Sequence, residues 1–209
     1  MVKKMKSVLG FTEVSYIEKK SRFIGLVFHT ETIDEVNINL EKARNLYPGA
    51  NHYTYAYILS DFEQKASDDG EPSRTAGYPI LEVIKNQGLN DVLVVVIRYF
   101  GGILLGAGGL IRAYSHTAAL ALENSVKAKK ITTVKAMLEC DYENLGNIDR
   151  FIREQTELDN VEYDQIVKFY FSVSKTLLPE VKDKLFNFNN YQDRLVVLKE
   201  TESYVKADY

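Results

Sequence analysis

"NDVLVVVIRYFGGILLGAGGLIRAYS", residues 90–115, is the stretch on which the reading of this fold turns. Val92–Ile97 is apolar without interruption, as expected of a strand covered on both faces and central in its sheet. Between Arg98 and Tyr114, five of seventeen residues are glycine, and the segment then opens a helix predicted to run to about Ser125. The glycines have two readings. They either expose backbone amides that cradle an anion at a helix N-terminus, or they let backbones pack closely with no ligand. Neither common nucleotide template fits. No lysine follows the glycines as a Walker loop requires, and Ile111 stands where the dinucleotide fingerprint has its third glycine. The generic physics survives: amides at Gly106, Gly108 and Gly109, with Arg112 expected in the first helical turn. Arg98 shares a strand face with Val94 and Val96 and needs a carboxylate or an anion, for which Asp68 or Asp69 is the candidate.

Working outward, "FTEVSYIEKK" and "SRFIGLVFHT" read as two strands around a polar turn. "TIDEVNINLEKARNLY" reads as a helix with Thr32 and Glu35 at capping-box spacing and Pro48-Gly49 as its stop. "NHYTYAYILS" alternates as a strand, with Tyr53, Tyr55 and Tyr57 on one face and His52 and Thr54 on the other. Those tyrosines either stack bases or pack beneath a helix with their hydroxyls at its edge. Residues 61–78 read as a loop, Pro79 as the first residue of a helix, and Gly88 as its end. The second half changes rhythm. A strand to Cys140, a helix with Leu145, Ile148, Phe151 and Ile152 on one stripe, strand material to Ser174, a helix from Leu177 and a last strand give βαββαβ. The fold class is α+β. An α/β sandwich is expected over residues 1–130 and a ferredoxin-like domain over 131–209, with the boundary near Lys127–Ile131.

Composition bounds the function. The 209 residues are 45% hydrophobic and 26% charged, an ordinary globular balance with length for a real core. No stretch is long enough for a membrane span, and the basic N-terminus lacks the apolar run of a signal peptide. The single cysteine, Cys140, forms no intrachain disulfide, so a cytoplasmic location is expected. Residues 1–130 carry 16 Lys and Arg against 14 Asp and Glu, while residues 131–209 carry 10 against 15. An anionic partner therefore belongs on the first half.

"SDDGEPSR", residues 67–74, holds Asp68, Asp69, Glu71 and Ser73. The carboxylates either ligate a hard cation or satisfy the amides of an Asp-Gly turn, and the turn is favoured. A hydrolase triad around Ser73 is disfavoured, because His29, His52 and His116 lie in no nucleophile or metal motif. No metal and no cofactor are expected.

"SDDGEPSRTAGYPIL", "VVVIRYFGGILLGAGGLIRAYS" and "KKSRF" together resemble the YigZ/IMPACT family across the whole chain. The resemblance implies a first domain similar to the second domain of ribosomal protein S-five and a second similar to ferredoxin-like domains of elongation factor G. It implies a translation-associated protein whose partners are RNA, the ribosome or a translation-regulatory protein, and a non-enzymatic role is favoured over an enzymatic one. The family motif falls on Asp68, Asp69, Gly70, Glu71, Pro72 and Ser73, then on Arg98, Gly101, Gly102, Gly106, Gly109 and Arg112. Leu104 stands where the family often has lysine. The anion- or RNA-binding set expected is Arg74, Arg98, Gly101, Gly102, Gly106, Gly108, Gly109 and Arg112, supported by His52, Asp68, Asp69, Glu71 and Ser73. The alternative is a small enzyme acting on a phosphorylated or acidic metabolite at a pocket of Asp68, Arg98 and Gly106.

Overall fold

A computed structural model describes residues 6–59, 63–188 and 191–207. The fold is mixed α+β and divides into two compact units. One extends to Lys129 and takes in the chain again from Tyr204; the other is Lys130–Ser203.

The first unit is built on a five-stranded antiparallel sheet. Its strands, in spatial order, are β2 (Phe11–Glu18), β3 (Ser21–His29), β6 (Val92–Tyr99), β4 (His52–Ile58) and β5 (Gln64–Ser67). β6 is central, and Val92–Ile97 are wholly buried. That follows from an apolar run whose two faces both need cover. On one face Phe23, Val27, Ala56, Val94 and Val96 pack against helices α2 (Gly77–Gln87) and α3 (Gly106–Glu123). On the other, Ile24, Leu26, Tyr53, Tyr57, Val95 and Ile97 cluster with Val36 and Ala43 of α1 (Ile33–Leu46). The tyrosine face thus takes the packed reading: Tyr53 donates its hydroxyl to the Tyr47 carbonyl at 2.6 Å and accepts from the Ala50 amide. A short strand β1 (Lys6–Leu9) pairs with Val126–Lys129.

Local chemistry sets the helix ends. Thr32 caps α1 by accepting the Glu35 amide at 3.2 Å, while the Glu35 carboxylate reaches the Glu31 amide, one residue beyond the capping-box position. α2 begins at Gly77, two residues before the predicted Pro79. The reason is Asp68, whose Oδ1 accepts the Ala76 and Gly77 amides at 3.0 and 2.8 Å and caps the helix from a distant loop. Gly88, at φ 64°, closes α2 in the left-handed conformation. Part of the expected loop is the edge strand β5, held by backbone pairing to Tyr55–Ile58. Residues 61 and 62 of that expected loop lie outside the described residues.

The second half runs β7 (Val126–Cys140), α4 (Leu145–Gln155), β8 (Glu157–Tyr163), β9 (Val167–Ser174), α5 (Leu178–Phe186) and β10 (Leu195–Lys206). The strands lie in the order β8, β9, β7, with β10 also on β7, and the element order is that of a split βαβ motif. Val134, Ala136, Leu138 and Cys140 join Val167, Phe169, Phe171 and Val173 in one buried face, under Ile148, Phe151 and Ile152 of α4 and Val181 and Leu185 of α5. Cys140 is fully buried, and burial raises its thiol pKa. β7 runs unbroken through Lys127–Ile131, so the basic cluster there is strand. The Lys127 ammonium sits beside Gln87 Oε1 and the Leu122 carbonyl, and burial lowers its pKa.

Candidate functional site

Arg98 ends the apolar run of β6, and register sets it between Phe23 of β3 and His52 of β4. Only 5% of it is exposed, so its charge needs a partner inside the fold. The partner is Glu71, not Asp68 or Asp69: Arg98 Nη1 donates to Glu71 Oε1 at 2.5 Å. The same oxygen accepts the Tyr114 hydroxyl at 2.7 Å and has His52 Nε2 3.8 Å away. Burial, then the bond to Glu71, drive the Tyr114 hydroxyl pKa far above its usual value. His52 Nδ1 lies 2.8 Å from the Asp69 carbonyl; a carbonyl only accepts, so Nδ1 carries the proton. Arg98 Nη2 reaches Ser21 Oγ at 3.4 Å, and its guanidinium lies 5.5 and 5.4 Å from the Phe23 and Phe100 rings.

The two other acids are spent on the backbone. Asp68 takes the Arg74 amide at 2.8 Å as well as the start of α2. Asp69 accepts the Tyr53 amide at 2.6 Å, with Arg44 at 3.7 Å. The loop bends sharply, with positive φ at Asp69, Gly70 and Arg74. Among the described residues, no group of three or more Asp, Glu, His or Cys side chains is arranged to hold a metal. Asp68 and Asp69 satisfy backbone amides, as the turn reading of "SDDGEPSR" expects. Ser73 is exposed. So is Arg74, whose guanidinium lies 4.4 Å over the Tyr78 ring.

The glycine segment divides by role. A Cβ at Gly101 would stand 2.0 Å from the Lys20 backbone, so Gly101 serves close packing against the β2–β3 turn, and its amide donates to Ser21 Oγ at 3.2 Å. Gly102 and Gly106 have φ of 82° and 69°, which shape the turn into α3. Gly109 lies against its own helix neighbour, where a Cβ would meet Leu105 Cβ at 3.1 Å. Gly108 is different: it is exposed, and a Cβ there would meet nothing within 4 Å. Packing therefore accounts for Gly101 but not for Gly108.

The glycines thus differ by position, with close packing at Gly101 and open space around Gly108. α1 and α2 each begin under a capping side chain, whereas α3 has no side-chain cap and no acid in its first turn. Its leading amides are left to solvent or to an anion. Arg112 needs a correction: it is the seventh residue of α3, about 9 Å along the axis from Gly106, so it flanks the helix in the second turn. It is exposed and has no hydrogen-bond or ion-pair partner among the described residues. Arg98 is also corrected. Buried and neutralised by Glu71, it braces the site and offers no charge to a ligand. Of the residues of the alternative pocket, Asp68 caps α2 and Arg98 holds Glu71.

Sequence reasoning passed over Tyr114 and Ser21. Tyr114 lies four residues after Leu110 on the buried stripe of α3, and a tyrosine on an apolar stripe signals a hydroxyl that must find a partner. Ser21 had no comparable signal, since its role follows from the close approach at Gly101.

The Impact N-terminal domain model matches residues 19–122, and the model of a domain of unknown function, DUF1949, matches residues 138–190. The chain is 32% identical over 187 residues to the IMPACT family member YigZ of Escherichia coli, covering 87% of this chain and 92% of the relative. It is 41% identical over 161 residues to the IMPACT family member YvyE of Bacillus subtilis, covering 75% and 74%. A protein IMPACT homolog of Dictyostelium discoideum is 33% identical over 112 residues, 51% of this chain and 31% of the homolog. A solved structure titled "Crystal structure of an hypothetical protein" superposes with a TM-score of 0.62 at 29% identity, covering 95% of this chain and 98% of the other.

Proposed function

The chain belongs to the IMPACT family, and from that premise we propose that it is a translation-associated protein whose first unit binds phosphate-bearing ligands, RNA above all. The observation that carries the reading is the uncapped start of α3. Its first-turn amides have no capping side chain, the turn itself holds no acid, and Gly108 leaves them uncovered. A helix N-terminus in that state attracts phosphate through both its N–H groups and its dipole. Arg112 then supplies a full charge farther along the same helix, the arrangement suited to a chain of phosphates. Leu104, 83% exposed beside this turn, adds no charge of its own.

A non-enzymatic role suits a site whose acids are already occupied by amides and by Arg98. No helix among the described residues is long and apolar enough to cross a membrane. The buried lone thiol of Cys140 suits a reducing cytoplasm. The test is the affinity of the full chain for an RNA oligomer at two salt concentrations, with and without Arg112→Ala. Affinity should fall steeply with salt, and the substitution should weaken binding by about 1–3 kcal/mol. Equal affinity in the two proteins, or no salt dependence, overturns the reading.

A further inference from the structure

Beyond its N-terminus, the flank of α3 borders a cavity of about 510 Å³. Leu105, Gly109, Arg112, Ala113 and His116 line it from the helix, at spacings that place them on one face. Tyr16, Glu18 and Lys19 line it from the end of β2 and the turn that follows. Gly109 presents bare backbone there. The cavity is far larger than a phosphate ion needs, and its walls differ in chemistry from place to place.

Three kinds of group meet in it. Arg112 and Lys19 are exposed cations with no hydrogen-bond or ion-pair partner among the described residues. Glu18 is a carboxylate in an otherwise basic site; its Oε2 accepts the Tyr16 hydroxyl at 2.7 Å, and Oε1, with no donor among the described residues, is left for another. Tyr16 and His116 stand edge to face with ring centroids 4.5 Å apart, beside the apolar Leu105 and Ala113. An anion alone leaves the aromatic wall and the carboxylate unused. A sugar phosphate leaves the aromatic wall unused. A nucleotide has all three complements: phosphate, hydroxyl donors and an apolar-faced ring.

We propose that this cavity takes one ribonucleotide, with its phosphate on Arg112 and Lys19, a ribose hydroxyl donating to Glu18, and its base against Tyr16 and His116. The proposal rests on the phosphate-binding reading above and names what is bound. The nucleotide is either free or one unit of an RNA strand, and the two sources share this chemistry.

The full chain, labelled with nitrogen-15, is titrated with AMP, UMP, adenosine, inorganic phosphate, 2′,3′-dideoxy-AMP and an RNA oligomer. AMP and UMP should shift the amide resonances of Gly109, Arg112 and His116. Adenosine and inorganic phosphate should each bind at least about tenfold more weakly, since each lacks one set of contacts. The dideoxy compound should lose about tenfold as well, and Glu18→Ala, which removes the acceptor, should erase that difference. Lys19→Asn and Arg112→Ala should each weaken AMP binding roughly tenfold or more. Asn suits position 19, where φ is 44°. AMP that displaces the oligomer marks the pocket as part of an RNA path, and AMP that binds beside it marks a free-nucleotide site. RNA binding that keeps its salt dependence while neither nucleotide shifts these residues overturns the cavity proposal and leaves the family reading standing. Inorganic phosphate binding as tightly as AMP also overturns it. Binding of neither RNA nor nucleotide overturns both.

Discussion

Replacing Glu71 with alanine should be among the most damaging single changes this protein can suffer, and the size of the loss follows from one oxygen atom. Glu71 Oε1 accepts both the Arg98 guanidinium at 2.5 Å and the Tyr114 hydroxyl at 2.7 Å, and all three side chains are buried. Alanine strands the Arg98 charge, which costs about 3–5 kcal/mol when one partner of a buried pair is removed. The lost acceptor of Tyr114 belongs to the same event, so its usual 1–3 kcal/mol, roughly, does not add in full. Set against a typical stability of about 5–15 kcal/mol, that is a large share. Glu71→Gln keeps the shape and one acceptor oxygen, and should cost about half as much. Pairing Glu71→Ala with Arg98→Met removes the stranded charge and should recover about 1–3 kcal/mol relative to Glu71→Ala alone. The assay is urea unfolding followed by tyrosine fluorescence, since the chain has 14 tyrosines and no tryptophan, with far-ultraviolet circular dichroism as a second probe. A loss below about 1 kcal/mol for Glu71→Ala, or strict additivity in the double variant, would refute the account of a buried charge held by a single partner.

Further expectations concern the glycines, a tyrosine and the thiol. Gly101→Ala forces a Cβ to within 2.0 Å of the Lys20 backbone and should cost about 3 kcal/mol, whereas Gly108→Ala meets nothing within 4 Å and should stabilise by up to about 1 kcal/mol; thermal unfolding of both variants checks the contrast. The Tyr47 hydroxyl donates to Glu13, and burial followed by that bond raises its pKa from 10.0 to about 12. A raised pKa means that the unfolded chain loses the proton first. The stability Tyr47 contributes is therefore complete below pH 10 and lost as pH rises toward about 12. Tyr47→Phe should flatten that part of the alkaline stability profile, leaving the share owed to Tyr114. Cys140 should react with a thiol reagent only as fast as its unit opens, because it is fully buried and its pKa is raised by burial; a rate equal to that of free cysteine would contradict this.

What this sequence determined by itself was whatever a single element can encode. Unbroken apolarity from Val92 to Ile97 suffices to make β6 central, because no other position covers both faces of a strand. Alternation in Val167–Val173 assigned the inner face of β9, and the stripe through Ile148, Phe151 and Ile152 assigned that of α4. Thr32 and Gly88 marked their helix ends because capping is chemistry between near neighbours. That Arg98 required an acid from the 68–74 loop was legible too, since a charge at the end of a buried strand cannot go unpaired. Which acid was not. Asp68 turned to the amides of α2, Asp69 to that of Tyr53, and Glu71 to Arg98 and Tyr114, choices made by the path of a tightly bent loop in space. The roles of the glycines were likewise settled by what stands opposite them. The Lys20 backbone beside Gly101 and the open space around Gly108 come from elements distant in the chain, or from none, and no local pattern carries that information.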